Sequence, residues 1–185
     1  DENYAREVMQ LFSIGLYQLQ SNGNYVTDGS GRPIESYTND DITEFARAFT
    51  GFTDDGPGTT GSGTGQTDFP RDPANYTSPM RMWEQQHDNA AKRLLSYPGA
   101  RKVNLPAGQT GLQDVQDAVD NLVEHPNTAP FICRQLIQRL VTSNPSSDYV
   151  GRVSAVFVNN GSGVRGDLLA VAKAILLDPE ARNPS

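Results

Sequence analysis

The sequence predicts a mainly α-helical fold, an irregular helical bundle of about six helices with one small antiparallel β-hairpin and long loops. Apolar residues recur at helical spacing in several long segments, whereas the alternation typical of strands occurs only briefly. The chain contains 17 Gly and 12 Pro, which concentrate between the periodic segments and indicate substantial loops. At 185 residues it is long enough to bury roughly 70% of the surface that the unfolded chain exposes, so a real core is expected.

The first helix is predicted in "DENYAREVMQLFSIGLYQL", at the start of the chain. Its apolar stripe consists of Tyr4, Val8, Leu11, Phe12 and Leu16. Glu2 and Arg6 are four residues apart in the order that favours a helical ion pair, although such a surface pair contributes little to stability. The chain starts on this helix with almost no lead-in, so we expect it to be a piece of a longer protein.

The second helix is predicted in "TNDDITEFARAFTGF". Thr38 and Asp41 have the spacing of a capping box, and Gly51 is well placed to end the helix. The apolar stripe consists of Ile42, Phe45, Ala46 and Phe49. The segment that follows, residues 53–79, is rich in Gly, Thr and Pro and has no periodicity, so it is predicted to be a long loop. Long loops inside compact domains tend to be functional or mobile.

A small antiparallel hairpin is predicted over residues 80–95. The residues "MRM" alternate in polarity, a polar break follows, and "KRLL" ends the pattern. The turn of this hairpin would contain His87 and Asp88. A helix that begins at Asp88 is the alternative.

Two helices are predicted in residues 110–143. The first begins with a capping box formed by Thr110 and Gln113. Its apolar residues are Leu112, Val115, Val119, Leu122 and Val123. The second, in "APFICRQLIQRLVTS", ends before Pro145 because a residue that precedes proline avoids the helical conformation. Its stripe consists of Ile132, Leu136 and Leu140, supported by Cys133, Ile137 and Val141.

The last two predicted helices lie in "SSDYVGRVSAVFVNN" and "RGDLLAVAKAILLDPEAR". The former has Val150, Val153 and Phe157 on one side. The latter is apolar around so much of its circumference that we expect it to be buried on more than one side. Its apolar residues are Leu168, Leu169, Val171, Ala172, Ile175 and Leu176. We expect residues 1–185 to form a single domain or a fragment of a larger helical domain.

Charge and composition exclude several classes of function. The net charge of -7 and the pI near 4.7 argue against nucleic acid as a partner, because phosphate binding needs Lys and Arg clustered on one face. No apolar run approaches the roughly 20 residues that span a bilayer, so no transmembrane segment is predicted. The single cysteine, Cys133, excludes an internal disulfide and a thiolate-rich zinc cluster, and its apolar neighbours predict a buried structural thiol.

The segment "QQHDNAAKRLL" is the best candidate for chemistry, because it combines His87, one of only two histidines, with Asp88 and Lys92. One interpretation is catalytic: His87 acts as a general base, since histidine titrates close to neutral pH. The other interpretation is structural. Asp88 accepts hydrogen bonds from backbone amides of a turn, His87 forms a hydrogen bond with a carbonyl or a carboxylate, and Lys92 pairs with an acidic side chain.

A metal site is a third interpretation of the same segment. His87 and Asp88 could bind a divalent cation with Glu84, or with Asp54 or Asp55 from the long loop, provided that both lie in a turn. The residues identify neither the metal nor any other cofactor. The signatures of P-loop, nucleophile-elbow and zinc-protease enzymes do not occur in the chain.

The second histidine, His125 in "EHPNTAP", lies between two predicted helices. A histidine there can cap exposed carbonyls and interact favourably with the negative end of the helix dipole. We therefore expect a structural role for His125, with participation in a site as the alternative.

Five segments occur in the order seen in one bacterial family: "ENYAREVMQLFSIGL", "TNDDITEFARAFTGF", "HDNAAK", "EHPNTAPFICRQLIQRLV" and "GDLLAVAKAILLDPEAR". The chain resembles the domain of unknown function 1800 family over nearly its whole length. The family's motifs match Glu2, Asn3, Arg6, Glu7, Asp41, Arg47, Gly51, His87, Asp88, Lys92, His125 and Pro126. The sequence departs from the family pattern after Lys92, where Ser96-Tyr97 stands and a glycine is usual.

The resemblance implies the C-terminal part of a longer, mainly helical bacterial protein that is secreted or periplasmic. Its partners would be the missing N-terminal and C-terminal parts of the same protein. The resemblance implies no reaction.

Two hypotheses for function follow. In the first, the chain is a binding or assembly module, and a candidate polar cluster forms a buried network between the first two helices and the hairpin. In the second, the cluster lines the cleft of an enzyme or a metal-binding protein, covered by the long loop. The candidate cluster consists of Glu2, Arg6, Glu7, Asp41, Arg47, His87, Asp88, Lys92 and His125.

Overall fold

The computed structural model describes residues 2–53, 77 and 79–182. These residues divide into two compact units. The first unit contains residues 2–5 and the described part of 39–121, and the second contains residues 6–38 and 122–182. The predicted loop of residues 53–79, with Asp54 and Asp55, lies outside the described residues except at its two ends.

The predicted fold class is confirmed, because the described residues form mainly α-helices with two short antiparallel strand pairs. The helices are α1 (Glu2–Gln10), α2 (Asn39–Phe49), α3 (Gly111–Glu124), α4 (Thr128–Leu140), α5 (Ser147–Val158), α6 (Leu168–Leu177) and α7 (Pro179–Arg182). Strand β1 (Phe52–Thr53) pairs with β2 (Arg81–Met82), and β3 (Lys92–Arg93) pairs with β4 (Asn104–Leu105). None of the helices in the described part of the chain is long and apolar enough to cross a membrane.

The first unit is built on α2, which contacts β3. As predicted, Ile42, Phe45 and Ala46 are buried on one side of this helix. The helix ends where expected, because Gly51 has φ +79°, a left-handed conformation that glycine adopts without strain.

The predicted hairpin of residues 80–95 is wrong in its pairing. Strands β2 and β3 lie on either side of His87, but each pairs with a different partner. Residues Glu84–Gln86 form a single 3₁₀ turn, and His87 follows in an extended conformation. The segment is therefore a connection between two strand pairs, and the small hairpin of the fold is the one formed by β3 and β4.

Helix α3 exposes three of the five residues that the apolar pattern predicted to be buried, although Leu122 is buried as predicted. Leu112, Val119 and Val123 are 58%, 40% and 40% exposed. In the part of α3 that belongs to the first unit, the side facing the core contains Asp114, Ala118 and Asn121, which are all buried. Asn121 donates to the carbonyls of residues 95 and 102, so the polar side of α3 is turned inward to bind the β3–β4 connection.

Helix α1 is shorter than predicted. It ends at Gln10, and the amides of Ile14 and Gly15 both donate to the carbonyl of Met9, which turns the chain away. Ala5 and Met9 are the fully buried residues of α1, whereas most of the predicted stripe is exposed. The exposed residues are Tyr4, Leu11, Phe12 and Leu16, at 51%, 46%, 71% and 45%.

The second unit has an apolar core between α4, α5 and α6. Its buried residues are Ala129, Cys133, Ile137, Tyr149, Val150, Val153, Phe157, Val171 and Ile175. The one buried polar tip among them is satisfied, because the Tyr149 hydroxyl donates to the Ile175 carbonyl at 2.6 Å. Cys133 is a buried thiol as predicted, and burial raises its pKa to about 12.

Helix α6 is buried on one side only, which contradicts the prediction. Val171 and Ile175 are fully buried, but the leucine pairs at both ends of the helix face solvent. Leu168, Leu169, Leu176 and Leu177 are 60%, 66%, 55% and 64% exposed. Among the described residues, therefore, α6 presents an apolar face that nothing covers.

Candidate functional site

A cluster of three ionisable side chains lies in the core of the first unit. His87 Nε2 is 3.0 Å from Asp114 Oδ2, and Lys92 Nζ donates to the same oxygen at 2.7 Å. The side chains of all three residues are at most 1% exposed. Charges enclosed to this degree are stable only when they are paired and hydrogen-bonded.

The position of His87 depends on a close approach between two backbones. The Gly51 carbonyl accepts from the Trp83 amide at 2.8 Å, and the His87 amide donates to Glu84 at 3.2 Å. A Cβ at position 51 would lie 2.7 Å from the Trp83 carbonyl oxygen and 3.1 Å from the His87 nitrogen. Only glycine fits at residue 51 without displacing the turn that carries His87.

The hydrogen-bond partners of His87 define its protonation. Nδ1 lies 2.9 Å from the Thr50 carbonyl, which can only accept, so Nδ1 carries a proton. Nε2 lies 3.0 Å from Asp114 Oδ2 and 3.5 Å from Lys92 Nζ, so both ring nitrogens contact protein groups.

Lys92 uses every N–H group that it has. Its ammonium group donates to the carbonyls of Asp88 and Ala90 and to the carboxylate of Asp114, the Ala90 bond being 3.0 Å long. Two carbonyl dipoles and one carboxylate thus surround the charge. No donor is left for a ligand.

Asp114, the acid that Lys92 pairs with, was not identified from the sequence. It lies in the first turn of α3, and its other oxygen accepts from Gln109 at 2.7 Å. One turn further along, Asp117 binds Gln109 and Lys102. The available signal was the pair of aspartates one turn apart on α3, which the apolar pattern of that helix obscured.

A second, partly exposed group adjoins the buried cluster. Arg47 donates from Nε to Asp88 at 2.8 Å and from Nη1 to Glu44 at 2.7 Å, and the side chains of Arg47 and Asp88 are 27% and 31% exposed. The hydrogen bond from Arg47 lowers the pKa of Asp88 to about 2. Asp88 also accepts from the Ala90 amide at 2.8 Å, as predicted, although this segment is not the turn of a hairpin.

The remaining predicted residues lie in different places. In the first unit, Asp41 pairs with Arg93 at 3.1 Å, and Glu2 accepts from Thr43 at 3.4 Å. Glu2, Asp41, Arg47, His87, Asp88 and Lys92 thus belong to the first unit. Arg6, Glu7 and His125 belong to the second unit.

His125 is a buried structural residue of the second unit. Its Nδ1 accepts from the Asn127 amide at 3.1 Å, and burial, with a smaller contribution from Arg165, lowers its pKa to about 4. Arg165 donates to the carbonyls of Val123 and His125 at 2.9 and 3.1 Å. Arg165 thus caps the carbonyls at the end of α3, next to His125.

Asn127 is the central polar residue of the second unit, and it was also missed. Its side-chain nitrogen donates to the carbonyls of Ile14 and Tyr17 and to the Ser36 hydroxyl, at 3.0, 2.9 and 3.0 Å. Its oxygen accepts from the Leu19 amide at 2.9 Å. One buried amide thereby fixes the irregular segment that follows α1.

This segment and α4 enclose an open groove of about 630 Å³ within the second unit. Apolar and aromatic side chains form its walls: Leu11, Phe12, Leu16, Tyr17, Tyr25 and Phe131. The charged residues among the described lining are Arg134 and Arg139. A Cβ on Gly15 would lie 2.5 Å from the Phe131 ring, so the ring packs directly on the backbone at the base of the groove.

The metal interpretation finds no complete ligand set in the described part of the chain. No group of three or more His, Cys, Asp or Glu residues there has a geometry that could hold an ion. Glu84, one of the suggested ligands, accepts instead from the Gly111 amide at 3.0 Å, at the start of α3.

Together these features define a mainly helical protein in which a buried charged cluster joins α2, the His87 turn, β3 and α3. The profile of the family described as protein of unknown function, DUF1800, matches residues 1–185, so the chain belongs to this family. The resemblance drawn from the sequence motifs is confirmed. No curated protein and no solved structure matches the chain.

Proposed function

We propose that this chain is a binding or assembly module of an exported bacterial protein, and that its polar cluster is a structural framework. The alternative is an enzyme or metal protein that uses a cleft centred on His87 and Asp88. A module needs a rigid core and an accessible contact surface, whereas an enzyme of this kind needs an accessible base.

The enclosure of His87 is the observation that carries this proposal. Its side chain has no exposed surface, and both ring nitrogens already contact protein groups. A general base must come within hydrogen-bond reach of the proton that it removes, directly or through one water molecule. The Lys92 ammonium group is likewise hydrogen-bonded to protein groups, Asp114 among them. The cluster therefore resembles a polar core in which every group has a partner, and such a core fixes one arrangement of the segments that supply it.

The accessible surface of the second unit supports the same proposal. The groove beside α4 and the outer face of α6 both expose large apolar side chains, which is typical of surfaces that contact another protein segment. We include the N-terminal and C-terminal parts of a longer polypeptide among the partners, and we place the whole protein outside the cytoplasm, as the family resemblance implies.

Replacing His87 with glutamine tests the structural role of the cluster. His87→Gln keeps a polar side chain but loses the geometry of both ring contacts, so we expect the free energy of unfolding to fall by about 3 kcal/mol. Urea unfolding followed by the fluorescence of Trp83, the only tryptophan and a buried residue of the first unit, measures this loss.

The exposed Gln116 provides a control, and Gln116→Ala is expected to change stability by less than about 0.5 kcal/mol. Catalytic groups are commonly replaced with no loss, or even with a gain, of stability. An unchanged or increased stability of His87→Gln would therefore favour the enzyme hypothesis and contradict the proposal.

A further inference from the structure

The groove beside α4 has a lining whose charge is opposite to that of the chain. The chain carries 22 acidic and 15 basic residues, but the charged residues in the described lining are Arg134 and Arg139, which are both exposed. Lysine, aspartate and glutamate do not occur in the described lining. The cores of protein–protein contacts differ from other surfaces in the same way, because they are enriched in aromatic residues and arginine and depleted of the other charged residues.

The two arginines of the groove are not paired with carboxylates. Arg134 makes one long hydrogen bond, to the Gly23 carbonyl at 3.4 Å, and Arg139 makes no hydrogen bond or ion pair within the described part of the chain. Arg152, by contrast, binds both carboxylate oxygens of Asp178 at 2.8 Å. A guanidinium group matches the geometry of a carboxylate, so Arg134 and Arg139 are available to acidic groups of a partner.

The apolar part of the groove is formed before anything binds. The Phe131 ring packs on the backbone of Gly15, where a Cβ would lie 2.5 Å from it, and Asn127 fixes the segment after α1 through its backbone groups. Two aromatic side chains of the lining, Phe12 and Tyr25, are nevertheless 71% and 52% exposed. Binding to such a groove requires little ordering of the protein, which favours affinity.

We propose that this groove binds an acidic amphipathic segment of a protein partner. Apolar side chains of the segment lie against Phe12, Tyr25 and Phe131, and its carboxylates pair with Arg134 and Arg139. Because the net charge of the chain is -7, acidic groups are repelled by most of its surface, which favours this groove over other apolar surfaces. This inference names the class of partner in the binding role proposed above and rests on that role.

Fluorescence anisotropy of labelled peptides, titrated with the full chain, tests the proposal. Two peptides of leucine and glutamate, one with helical and one with alternating apolar spacing, represent the two backbone conformations of a bound segment. We expect at least one of them to bind with a dissociation constant on the order of 10 to 100 µM. The same peptides with lysine in place of glutamate are expected to bind roughly tenfold more weakly.

Reversing the charge of the groove is expected to reverse its preference. In Arg134→Glu/Arg139→Glu, the lysine peptide should bind more tightly than the glutamate peptide, whereas local unfolding would weaken both. The matched control is Lys173→Glu/Arg182→Glu. It makes the same change in net charge at two exposed residues outside the described lining, and it is expected to retain the preference for glutamate.

Phe12→Ala tests the apolar contact. The variant is expected to raise the dissociation constant of the glutamate peptide roughly tenfold, because aromatic anchors commonly dominate such contacts. Since Phe12 is 71% exposed, the urea midpoint of unfolding should not change. Leu112→Ala is the control, because Leu112 is 58% exposed but lies on α3, and it is expected to leave the affinity unchanged.

The proposal is overturned if neither glutamate peptide binds at up to about 1 mM, or if the charge-reversed variant weakens glutamate and lysine peptides alike. Binding of dodecanoate in place of the peptides would make the groove a site for small amphiphiles. Self-association that Phe12→Ala abolishes, without peptide binding, would make a second copy the occupant. Either result also overturns the proposal.

The stability of His87→Gln separates this inference from the proposed function. If His87→Gln destabilises the first unit while no peptide binds, only this inference fails. If a glutamate peptide binds as expected but His87→Gln is fully stable, the structural framework fails instead.

Discussion

The two units of this chain bury different chemistry. The centre of the first unit contains an imidazole, an ammonium group and a carboxyl, supplied by His87, Lys92 and Asp114. The core between α4, α5 and α6 in the second unit is apolar, and the phenol within it, that of Tyr149, bonds a helix carbonyl. The first core therefore depends on hydrogen-bond partners at fixed positions, whereas the second depends on filled volume.

This difference predicts different sensitivities to mutation. Removing one member of a buried charged group leaves the others without compensation, even when the volume is unchanged. Removing a methylene from an apolar core loses transfer free energy and leaves a cavity, and this loss is small when the group removed is small. The first unit should thus respond strongly to isosteric polar changes, and the second unit should tolerate small apolar changes.

The largest effect is expected for Asp114→Asn. Donors occupy both carboxylate oxygens, with Lys92 on Oδ2 and Gln109 on Oδ1, and His87 Nε2 also contacts Oδ2. An amide removes the negative charge and turns an N–H group toward one of these donors, so we expect a loss of about 3 to 5 kcal/mol in unfolding free energy. Urea unfolding followed by Trp83 fluorescence measures this loss.

Asp120→Asn is the matched control, because Asp120 is exposed on the same helix and accepts from the exposed Gln116. It is expected to cost less than about 0.5 kcal/mol. Equal losses in the two variants would show that the buried cluster does not stabilise the first unit, and the contrast between the two cores would then disappear.

The sequence predicted helices correctly where the apolar pattern and the core coincide. In α5, Val150, Val153 and Phe157 were predicted to lie on one side, and all three are buried. In the part of α3 that belongs to the first unit the same reasoning selected the wrong side, because Asp114 and Asn121 are buried to bind Lys92 and the β3–β4 connection. Period alone cannot distinguish an apolar stripe that faces the core from one that faces outward.

The candidate site was predictable in part, for a related reason. The motif residues His87, Asp88 and Lys92 do lie together, and Asp88 binds its own turn, as expected from local chemistry. Their partner Asp114 is 22 residues beyond Lys92, and Asn127 contacts residues more than 90 positions away. Pairings at such separations are set by tertiary packing, which a single sequence does not encode as a local pattern.

A smaller effect is expected from pH, and it concerns the second unit. The pKa of His125 is lowered to about 4, whereas an unfolded histidine titrates near 6.5. Between these values the unfolded chain binds a proton that the folded chain does not, so stability falls as the pH is lowered through this window. The shift corresponds to at most about 3 kcal/mol, reached near pH 4.

Unfolding free energies measured from pH 7 to pH 4 test this effect. His125→Asn keeps a side-chain oxygen that can accept from the Asn127 amide but does not titrate, so the variant is expected to show a flatter profile across the window. Asp88 contributes only near the acid end of this range, because the window between its unfolded pKa of 3.8 and its folded pKa of about 2 lies below pH 4. An unchanged slope in His125→Asn would assign the acid sensitivity to other groups.

The smallest effect is expected for Ile175→Val in the core of the second unit. The side chain of Ile175 is fully buried. Its backbone carbonyl accepts a hydrogen bond from the Tyr149 hydroxyl, and the substitution leaves this bond in place. The variant loses one methylene group, which costs about 0.5 to 1.5 kcal/mol. Urea unfolding followed by far-ultraviolet circular dichroism, which reports mainly on the helices, measures the loss.

The comparison of Ile175→Val with Asp114→Asn decides whether the two cores differ as proposed. Ile175→Val removes volume and leaves every hydrogen bond in place, whereas Asp114→Asn keeps the volume and reverses one hydrogen bond. If the stability of both units depends mainly on filled volume, Ile175→Val lowers the unfolding free energy more than Asp114→Asn does. If the first core is held by charge and hydrogen-bond direction, Asp114→Asn costs at least twice as much, although it deletes no heavy atom.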